Sequence, residues 1–369
     1  MIRKLVAMVI MVIVVIIAIP LIPTSPEDQD PDGWQYDEYR PLGSYAGASG
    51  SLEIVTVGGT EYIHAKSLGT GQLILSDGST ETIQVGKAHL DVCLMFGQSN
   101  SAYVAVDPSQ APVPVPGTAY YYGSETGNYS GIKFASAKMY SMTNPDGTAA
   151  TADKAPSFAI KYNEITGHRV YWVCGSISGR SITTFDPDGG TTWNYADEVV
   201  EYAIKALDKR YFTYDTIAYM WIQGEADRTM TVDEYKNRFL EMNKAIMDGG
   251  LAGQEFHHAF ISKVRTASSG TAQVQLAEEY PDMITMATTI AETFTQANGL
   301  LAPDNVHYSQ AGDNLIGTAL GESMGQWVLQ NPQVEDDNQP IWKIIGIFPL
   351  LIIVAMVAVI GMTIVRRII

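Results

Sequence analysis

A short apolar run that ends in a glycine turn carrying a serine limits the folds open to this chain. The run at 92–96 is followed directly by Gly97, Gln98, Ser99 and Asn100. A tight turn after a buried strand can hold a serine hydroxyl at the rim of a parallel sheet, which is where open α/β sheets build their sites. The sequence therefore predicts an α/β fold with Ser99 as a candidate nucleophile.

Strand-like and helix-like patterns alternate from residue 90 onward. Apolar runs lie at 92–96, 169–174, 217–222, 259–262 and 283–288, and helices are predicted at 194–209, at 232–247 and after Ser309. The clearest helix, 232–247, opens with the capping box Thr231-x-x-Glu234. Such alternation predicts a doubly wound parallel sheet with helices on both faces.

The segments outside this α/β part differ from it in composition. Residues 45–89 contain short β-like runs separated by glycines, which predicts a small β unit of three or four strands. Residues 23–44 and 332–341 are acidic and contain prolines, as linkers do. We therefore expect a small β unit ahead of a catalytic domain at 90–331, with a linker on each side.

The two ends of the chain are apolar and without charge over long stretches. Residues 5–22 and 344–365 could each cross a hydrocarbon core of about 30 Å as a helix. Basic residues flank both runs on the outer side, which predicts cytoplasmic termini and an extracellular domain at the cell membrane. We therefore expect a transmembrane anchor in 1–22, a transmembrane helix in 342–369 and the lipid bilayer as a partner. A cleaved signal peptide is the alternative for the first run.

The charge balance excludes one class of partner. The chain has 40 Asp and Glu against 23 Lys and Arg, a net charge of −17. Binding to nucleic acid needs clusters of basic residues, so we expect no nucleic-acid partner. The two cysteines, Cys93 and Cys174, lie in apolar runs and are expected to be small buried side chains, with a bridge between them left open.

Three segments supply the groups that a serine esterase needs. Ser99 is the hydroxyl, His307 is the natural base, and Asp304 lies three residues earlier, where its carboxylate can orient the imidazole. Glu225 and Asp227 follow the strand-like run 217–222 and are alternative partners for the histidine, although they more readily hold the loop by hydrogen bonds. The order along the chain is Ser, Asp, His.

These segments resemble the conserved blocks of a known family. The blocks at 97–100 (GQSN) and 223–225 (QGE), with Asp304-x-x-His307, are similar to those of the SGNH (GDSL-like) hydrolases. The branch most similar is the sialate O-acetylesterase and acetylxylan-esterase-like group, carbohydrate esterase family six. The resemblance covers about 90–330 and implies a flavodoxin-like SGNH hydrolase fold.

The resemblance also implies an oxyanion hole. Its donors would be the backbone N–H groups of Ser99 and Gly179 and the side-chain amide of Gln223. Gln98, Asn100 and Glu225 are further candidates for supporting roles. No cofactor and no metal are expected.

The predicted function is that of a membrane-anchored extracellular serine esterase that removes O-acetyl groups from carbohydrate. Its substrate would be an acetylated carbohydrate or another small ester. Two alternatives remain: a catalytically silent carbohydrate-binding surface protein on the same fold, and an esterase that acts on lipid or other acyl substrates.

Overall fold

A computed structural model of the protein describes residues 33–102, 106–123 and 137–331. These residues belong to one compact unit that spans Gln29–Asn331. Within them, the strands are β1 Trp34–Gln35, β2 Tyr39–Pro41, β3 Tyr45–Gly50, β4 Leu52–Val57, β5 Thr60–Ala65, β6 Gly69–Leu75, β7 Thr80–Gly86, β8 Ala88–Gly97, β9 Ala119–Gly123, β10 Lys138–Ser141, β11 Arg169–Cys174, β12 Phe212–Ile222, β13 Ala259–Ser262 and β14 Ile284–Thr288. The α-helices are α1 Ala155–Thr166, α2 Thr191–Ala206, α3 Val232–Met247, α4 Ala267–Glu279 and α5 Gln310–Gln330.

The main sheet has the order β10-β9-β11-β8-β12-β13-β14. All neighbouring strands are parallel except β9 and β10. The chain adds β11 on one side of β8 and then crosses to add β12 on the other. The carboxyl end of β8 is therefore the point where the strand order reverses, which is the preferred place for a site in an open α/β sheet. Gly97, the last residue of β8, leads directly into the Ser99 turn.

Two apolar cores lie on opposite faces of this sheet, because successive side chains of a strand point to opposite sides. In β8, Leu94 and Phe96 belong to one core, and Cys93 and Met95 belong to the other. Helices α2, α3 and α4 cover the first face, whereas α1 and α5 cover the second. Cys93 and Cys174 are both free and buried, so the bridge that the sequence left open is not formed.

Helices α1 and α5 pack with their backbones close together. A Cβ added to Gly317 would lie 2.3 Å from Lys154 O, and one added to Gly321 would lie 2.5 Å from Phe158 O. Only glycine fits at this separation. The close packing fixes α5, whose first residue is Gln310, and with it the loop that precedes this helix.

Strands β1 to β7 form two small sheets, β1-β7-β6-β3 and β2-β5-β4. The sequence pattern predicts three or four strands here. The additional strands include β1 and β2, which lie in the segment predicted as a linker. Trp34 of β1 is buried in the apolar core that the small sheets form. Arg169, the first residue of β11, donates a hydrogen bond to Tyr36 O at 2.6 Å. The small sheets thus contact the amino ends of the parallel strands, away from Ser99.

The predicted fold class needs a correction. Among the residues described, no helix is both long enough and apolar enough to cross a membrane. The structure supports a mixed α/β fold, and the prediction of a transmembrane helix at each end, with the bilayer as a partner, is not supported. The longest described helix, α5, buries one face on the sheet and carries Asp313 and Glu322. The apolar segments in 1–22 and 342–369 lie outside the described residues, and the location of the domain outside the cell stays a prediction.

Candidate active site

The turn after β8 depends on glycine at its first position. Gly97 has a φ of +150°, and an added Cβ would lie 2.1 Å from Ile222 O on the adjacent strand β12. No other residue fits there without moving one of the two strands. Ser99 follows two residues later and is 7% exposed. The turn therefore presents a nearly buried serine at the carboxyl edge of the sheet.

Asn100 connects this turn to two other segments. Its amide nitrogen donates to Glu225 Oε1 at 2.7 Å and to Val306 O at 3.2 Å. Its side-chain oxygen accepts from the backbone N–H of Tyr308 at 3.1 Å. The two backbone groups that Asn100 binds flank His307. One side chain therefore holds the residues on both sides of His307 against the turn that carries Ser99.

Asp304 and His307 form a pair within one loop. The His307 Nδ1 and Asp304 Oδ2 atoms are 2.6 Å apart. The other carboxylate oxygen of Asp304 accepts from the backbone N–H groups of Val306 and His307. The hydrogen bond from the His307 ring, with these two backbone bonds, lowers the pKa of Asp304 to about 2. An ionised carboxylate at Nδ1 leaves Nε2 as the nitrogen able to accept a proton.

Glu225 and Asp227, the alternative partners for His307, contact other groups. Glu225 binds Asn100, whereas Asp227 accepts hydrogen bonds from Ser181 Oγ at 2.5 Å and Ile182 N at 3.0 Å. Burial raises the pKa of Glu225, and the hydrogen bond from Asn100 only partly opposes this effect. Both carboxylates hold loops around the serine, and Asp304 is the carboxylate bonded to His307.

Gln223 also has partners within the protein. Its amide nitrogen donates to Arg180 O at 2.9 Å and to the Asp227 carboxylate, and its side-chain oxygen accepts from Tyr235 OH at 3.0 Å. Gln98 Oε1 lies 3.4 Å from the same amide nitrogen. Both amide hydrogens of Gln223 are thus directed at acceptors in the surrounding loops. This amide holds the turn at 179–181 in place.

Two backbone N–H groups at the site are available to a ligand. In the described parts of the chain, the N–H groups of Ser99 and Gly179 donate to no residue. Gly179 has a φ of +72° in the loop after β11. The start of that loop runs beside the Ser99 turn, since the Ile177 N–H donates to Gly97 O at 3.2 Å. Free N–H groups beside a serine can stabilise a negatively charged oxygen.

Sequence reasoning proposed Gln98, Asn100, Glu225 and Asp227 as supports of this site but did not identify three others. Gln273 from α4 donates to Gln223 O at 2.7 Å, and the Tyr235 hydroxyl from α3 lies 2.8 Å from the same oxygen. Ser101 donates to Ser176 Oγ at 2.8 Å and so links the serine turn to the loop after β11. These residues are distant in the sequence and belong to no common motif, so no local pattern indicated them.

The arrangement brings together a nearly buried serine, a histidine with an ionised carboxylate on its Nδ1, and free backbone donors. Among the described residues, no three His, Cys, Asp or Glu side chains form a group that could hold a metal ion. An α/β fold with such groups at the carboxyl edge of its sheet belongs to the class of ester hydrolases.

The family model described as carbohydrate esterase, sialic acid-specific acetylesterase, matches residues 89–326. The match covers more than half of the chain, so the chain belongs to this family. It is a carboxylic-ester hydrolase of the carbohydrate acetylesterase kind, which confirms the family resemblance predicted from the sequence. No curated protein matches the sequence significantly.

Three solved structures illustrate the similarity. A protein from Arabidopsis thaliana is 13% identical, with 63% of this chain and 97% of that chain covered and a TM-score of 0.44. A carbohydrate acetylesterase from Xanthomonas citri is 13% identical, with 80% and 72% covered and a TM-score of 0.42. The psychrotrophic esterase EstA from Pseudoalteromonas sp. is 12% identical, with 65% and 99% covered and a TM-score of 0.36. Because these TM-scores are below 0.5, the identification rests on the family match.

Proposed function

We propose that the protein removes O-acetyl groups from carbohydrate by a Ser-His-Asp mechanism. The observation that carries this proposal is the double contact of Asn100 with Val306 O and Tyr308 N, on either side of His307. These contacts hold the loop of His307 against the turn of Ser99, which allows one bound acyl group to reach both side chains. The family match supports an acetylated carbohydrate as the substrate.

In the first half of the reaction, Ser99 Oγ attacks the acetyl carbonyl carbon and its proton passes to His307 Nε2. The negative charge then develops on the carbonyl oxygen, within reach of the N–H groups of Ser99 and Gly179. When the intermediate collapses, the sugar oxygen leaves with the proton from His307. The product is an acetyl-enzyme ester on Ser99.

In the second half, water attacks the acetyl carbon and gives a proton to His307. Acetate leaves as the proton returns to Ser99 Oγ, so the enzyme is regenerated with no cofactor consumed. Asp304 keeps the imidazole in the required tautomer and stabilises its protonated form. No described residue shares a hydrogen bond with the Ser99 hydroxyl, and the contact with His307 has to form when substrate binds, as catalytic hydrogen bonds often do.

Gln223 is assigned a supporting role in this proposal. Its amide already binds Arg180 O and Asp227, so it positions Gly179 and does not itself hold the oxyanion. The two backbone N–H groups then form the oxyanion hole. A single donor of this kind is typically worth about 10²- to 10³-fold in rate.

The proposal is tested by measuring acetate release from an acetylated glycan and from 4-nitrophenyl acetate by the full-length protein. Ser99→Ala and His307→Ala should each abolish turnover, while His257→Ala, which changes an exposed histidine just before β13, should not. An organophosphonate should label Ser99 covalently. A folded wild-type protein that hydrolyses no ester would contradict the proposal and favour a carbohydrate-binding role. A protein that hydrolyses only long-chain acyl esters would favour a lipid substrate.

A further inference from the structure

A cluster of buried charges joins the start of α1 to the first turn of α5. Lys154 Nζ lies 2.8 Å from Asp313 Oδ1, and Asp153 directly precedes the lysine in the sequence. Each of these three residues is 1% exposed. Burying charges is costly unless they are paired and hydrogen-bonded, so the charge balance of this cluster matters.

The cluster contains two carboxylates and one ammonium group, so Lys154 can neutralise only one of the two acids. Asp153 Oδ1 accepts from the Ala155 N–H at 2.5 Å, but Asp153 Oδ2 is buried and has no hydrogen-bond partner in the described part of the chain. Among the described residues, Asp313 Oδ1 likewise receives no aligned hydrogen bond, in spite of its short distance to Lys154. One proton on the two carboxylates would remove the excess negative charge and supply a donor.

The environment of both carboxylates favours such a proton. Burial raises the pKa of Asp153 to about 7, and the charge of Asp313 acts in the same direction, whereas Lys154 opposes both effects only in part. Burial also raises the pKa of Asp313, to about 6, against the effect of Lys154. Because interacting carboxylates titrate as a pair, the proton belongs to the cluster and leaves as the pH rises through about 7.

Two other titratable groups that face the cluster carry no charge to balance it. Burial raises the pKa of Cys174 to about 11, and the charge of Asp153 adds to this effect. Burial, followed by the charges of Glu225 and Asp313, raises the pKa of Tyr308. The thiol and the phenol are therefore neutral near pH 7.

Two further cationic groups act on this region, both weakly. His307, when protonated, lowers the pKa of Asp313 less than Lys154 does. Arg265 lowers the pKa of Tyr308, and its effect there is smaller than that of Asp313. Lys154 is therefore the cation that sets the charge of the cluster.

Gln310, the first residue of α5, connects the cluster to the loop of His307. Its amide nitrogen donates to Asp153 O at 2.8 Å, and its side-chain oxygen accepts from the Asp153 N–H at 3.2 Å. The Asp313 N–H donates to Ser309 O at 2.8 Å in the same turn. Ser309 and Gln310 follow His307 by two and three residues. A movement of this turn away from Asp153 would therefore displace the histidine loop.

We propose that Asp153, Lys154 and Asp313 are positioning residues for His307, and that they hold its loop in place only while the two carboxylates share one proton. The inference rests on the proposed esterase function and adds a dependence on pH to it. When the proton passes to solvent, the unbalanced negative charge drives the start of α1 and the first turn of α5 apart. A displacement of about 1 Å is enough to slow the reaction.

The test is the pH dependence of kcat for acetate release from an acetylated glycan, after subtraction of the uncatalysed rate. In the wild type, kcat should fall about tenfold between about pH 7 and pH 9, where the cluster loses its proton. Asp153→Asn removes the second carboxylate and keeps the pair of Lys154 and Asp313. Asparagine also tolerates the φ of +66° at this position. This variant should match the wild type within about twofold at pH 7 and show no fall toward pH 9.

Asp313→Asn should also remove the fall, because only one carboxylate then remains beside Lys154. It breaks the ion pair between the helices, so kcat should be about tenfold lower at every pH, with little change in KM. Asp146→Asn is the matched control. It changes an exposed carboxylate in the turn before Asp153 and should keep the wild-type profile.

No fall of kcat at high pH in the wild type, or a fall that persists in Asp153→Asn, would overturn the inference and leave the esterase function intact. No turnover by the wild type at any pH would instead contradict the proposed function.

Urea unfolding tests the shared proton without any turnover. Because the folded pKa of Asp153 is raised, the stability of the wild type relative to Asp153→Asn should decrease as the pH rises from about 4 to about 7 and stay constant above. A constant difference over this range would exclude the shared proton.

Discussion

The side-chain oxygen of Asn100 accepts a hydrogen bond from the backbone N–H of Tyr308 at 3.1 Å, across 208 positions of the sequence. With the bond from its amide nitrogen to Val306 O, this contact holds the loop of His307 against the serine turn. The relative position of the two proposed catalytic groups thus depends on one neutral side chain.

Asn100→Ala should lower kcat by about 10- to 100-fold, because a displacement of the histidine loop of about 1 Å is enough for such a loss. The protein should still fold but with a lower thermal transition, because Asn100 is buried and its loss leaves groups of Glu225, Val306 and Tyr308 without this partner. Steady-state kinetics with 4-nitrophenyl acetate and a thermal melt measure the two effects. A variant with wild-type kcat would show that Asn100 does not position His307.

Asp304→Asn should reduce kcat by about 10⁴-fold while the protein stays folded, because the amide no longer fixes the tautomer of His307. Asp304 is about half exposed, so its substitution has little effect on packing. Asp208→Asn, a change in an exposed surface carboxylate, is the control. Loss of activity in Glu225→Gln but not in Asp304→Asn would assign the orienting carboxylate to Glu225 instead.

Gln223→Ala and Asp227→Ala should each lower kcat by roughly 10²-fold, since both side chains hold the turn that carries Gly179. Because they act through one hydrogen-bond network, the double variant should be little worse than either single variant. A double-mutant cycle on kcat measures this. Strictly additive losses, or a loss with Gln223→Ala alone, would instead support Gln223 as a direct oxyanion donor.

Gly97→Ala should destabilise the fold by about 3 kcal/mol or more, because an added Cβ would clash with Ile222 O. Gly167→Ala is the matched control. Gly167 also has a positive φ, of +74°, but nothing lies within 4 Å of an added Cβ, so only about 1 kcal/mol is expected. Urea unfolding of both variants gives the two free energies. An equal decrease in the free energy of unfolding in both variants would mean that the backbone moves away from the added Cβ at Gly97 without a cost in stability.

Asp91 makes the stability of the fold sensitive to acid. Burial would raise the pKa of Asp91, but hydrogen bonds from His168, His89 and Tyr162 outweigh it and lower the pKa to about 2 from its ordinary value of 3.8. Because the folded pKa is the lower one, the contribution is full above pH 4 and is lost as the pH falls toward 2. It amounts to about 2 kcal/mol.

The measurement is the free energy of unfolding as a function of pH for the wild type and Asp91→Asn. The difference between the two curves should narrow below pH 4. Parallel curves between pH 4 and pH 2 would show that Asp91 titrates alike in the folded and unfolded protein.

Local patterns predicted the elements that have strong periodicity. The helix predicted at 232–247 is α3, Val232–Met247, and Thr231 Oγ1 accepts from the Glu234 N–H as the capping box requires. Helix α4 was not predicted individually, because its sequence is rich in Ser, Gly and Thr and it buries polar side chains such as Ser269 and Gln273. Strand β10, which pairs with β9, carries no long apolar run that would indicate it.

The site was predictable to the extent that its groups lie close together in the sequence. The three-residue spacing of Asp304 and His307 predicts their contact, which the structure has at 2.6 Å. The partners of Asn100 and Gln223 depend on how distant loops meet, so the sequence could not predict them. For Gln223 the structure shows an amide bound to Arg180 O and Asp227, and the supporting role proposed for this residue rests on those contacts.

Helix α5 begins three residues after His307, with Ser309 as its N-cap, and its glycines pack against the backbone of α1. During synthesis, Ser99 leaves the ribosome some two hundred residues before His307, the proposed base. The loop of His307 is fixed only after the following helix, α5, has packed against α1. A chain that ends just before this helix would still contain Asp304 and His307, but the loop that carries them would lack the packing of α5 against α1. In the proposed mechanism, ester turnover thus begins only once the last described helix is in place.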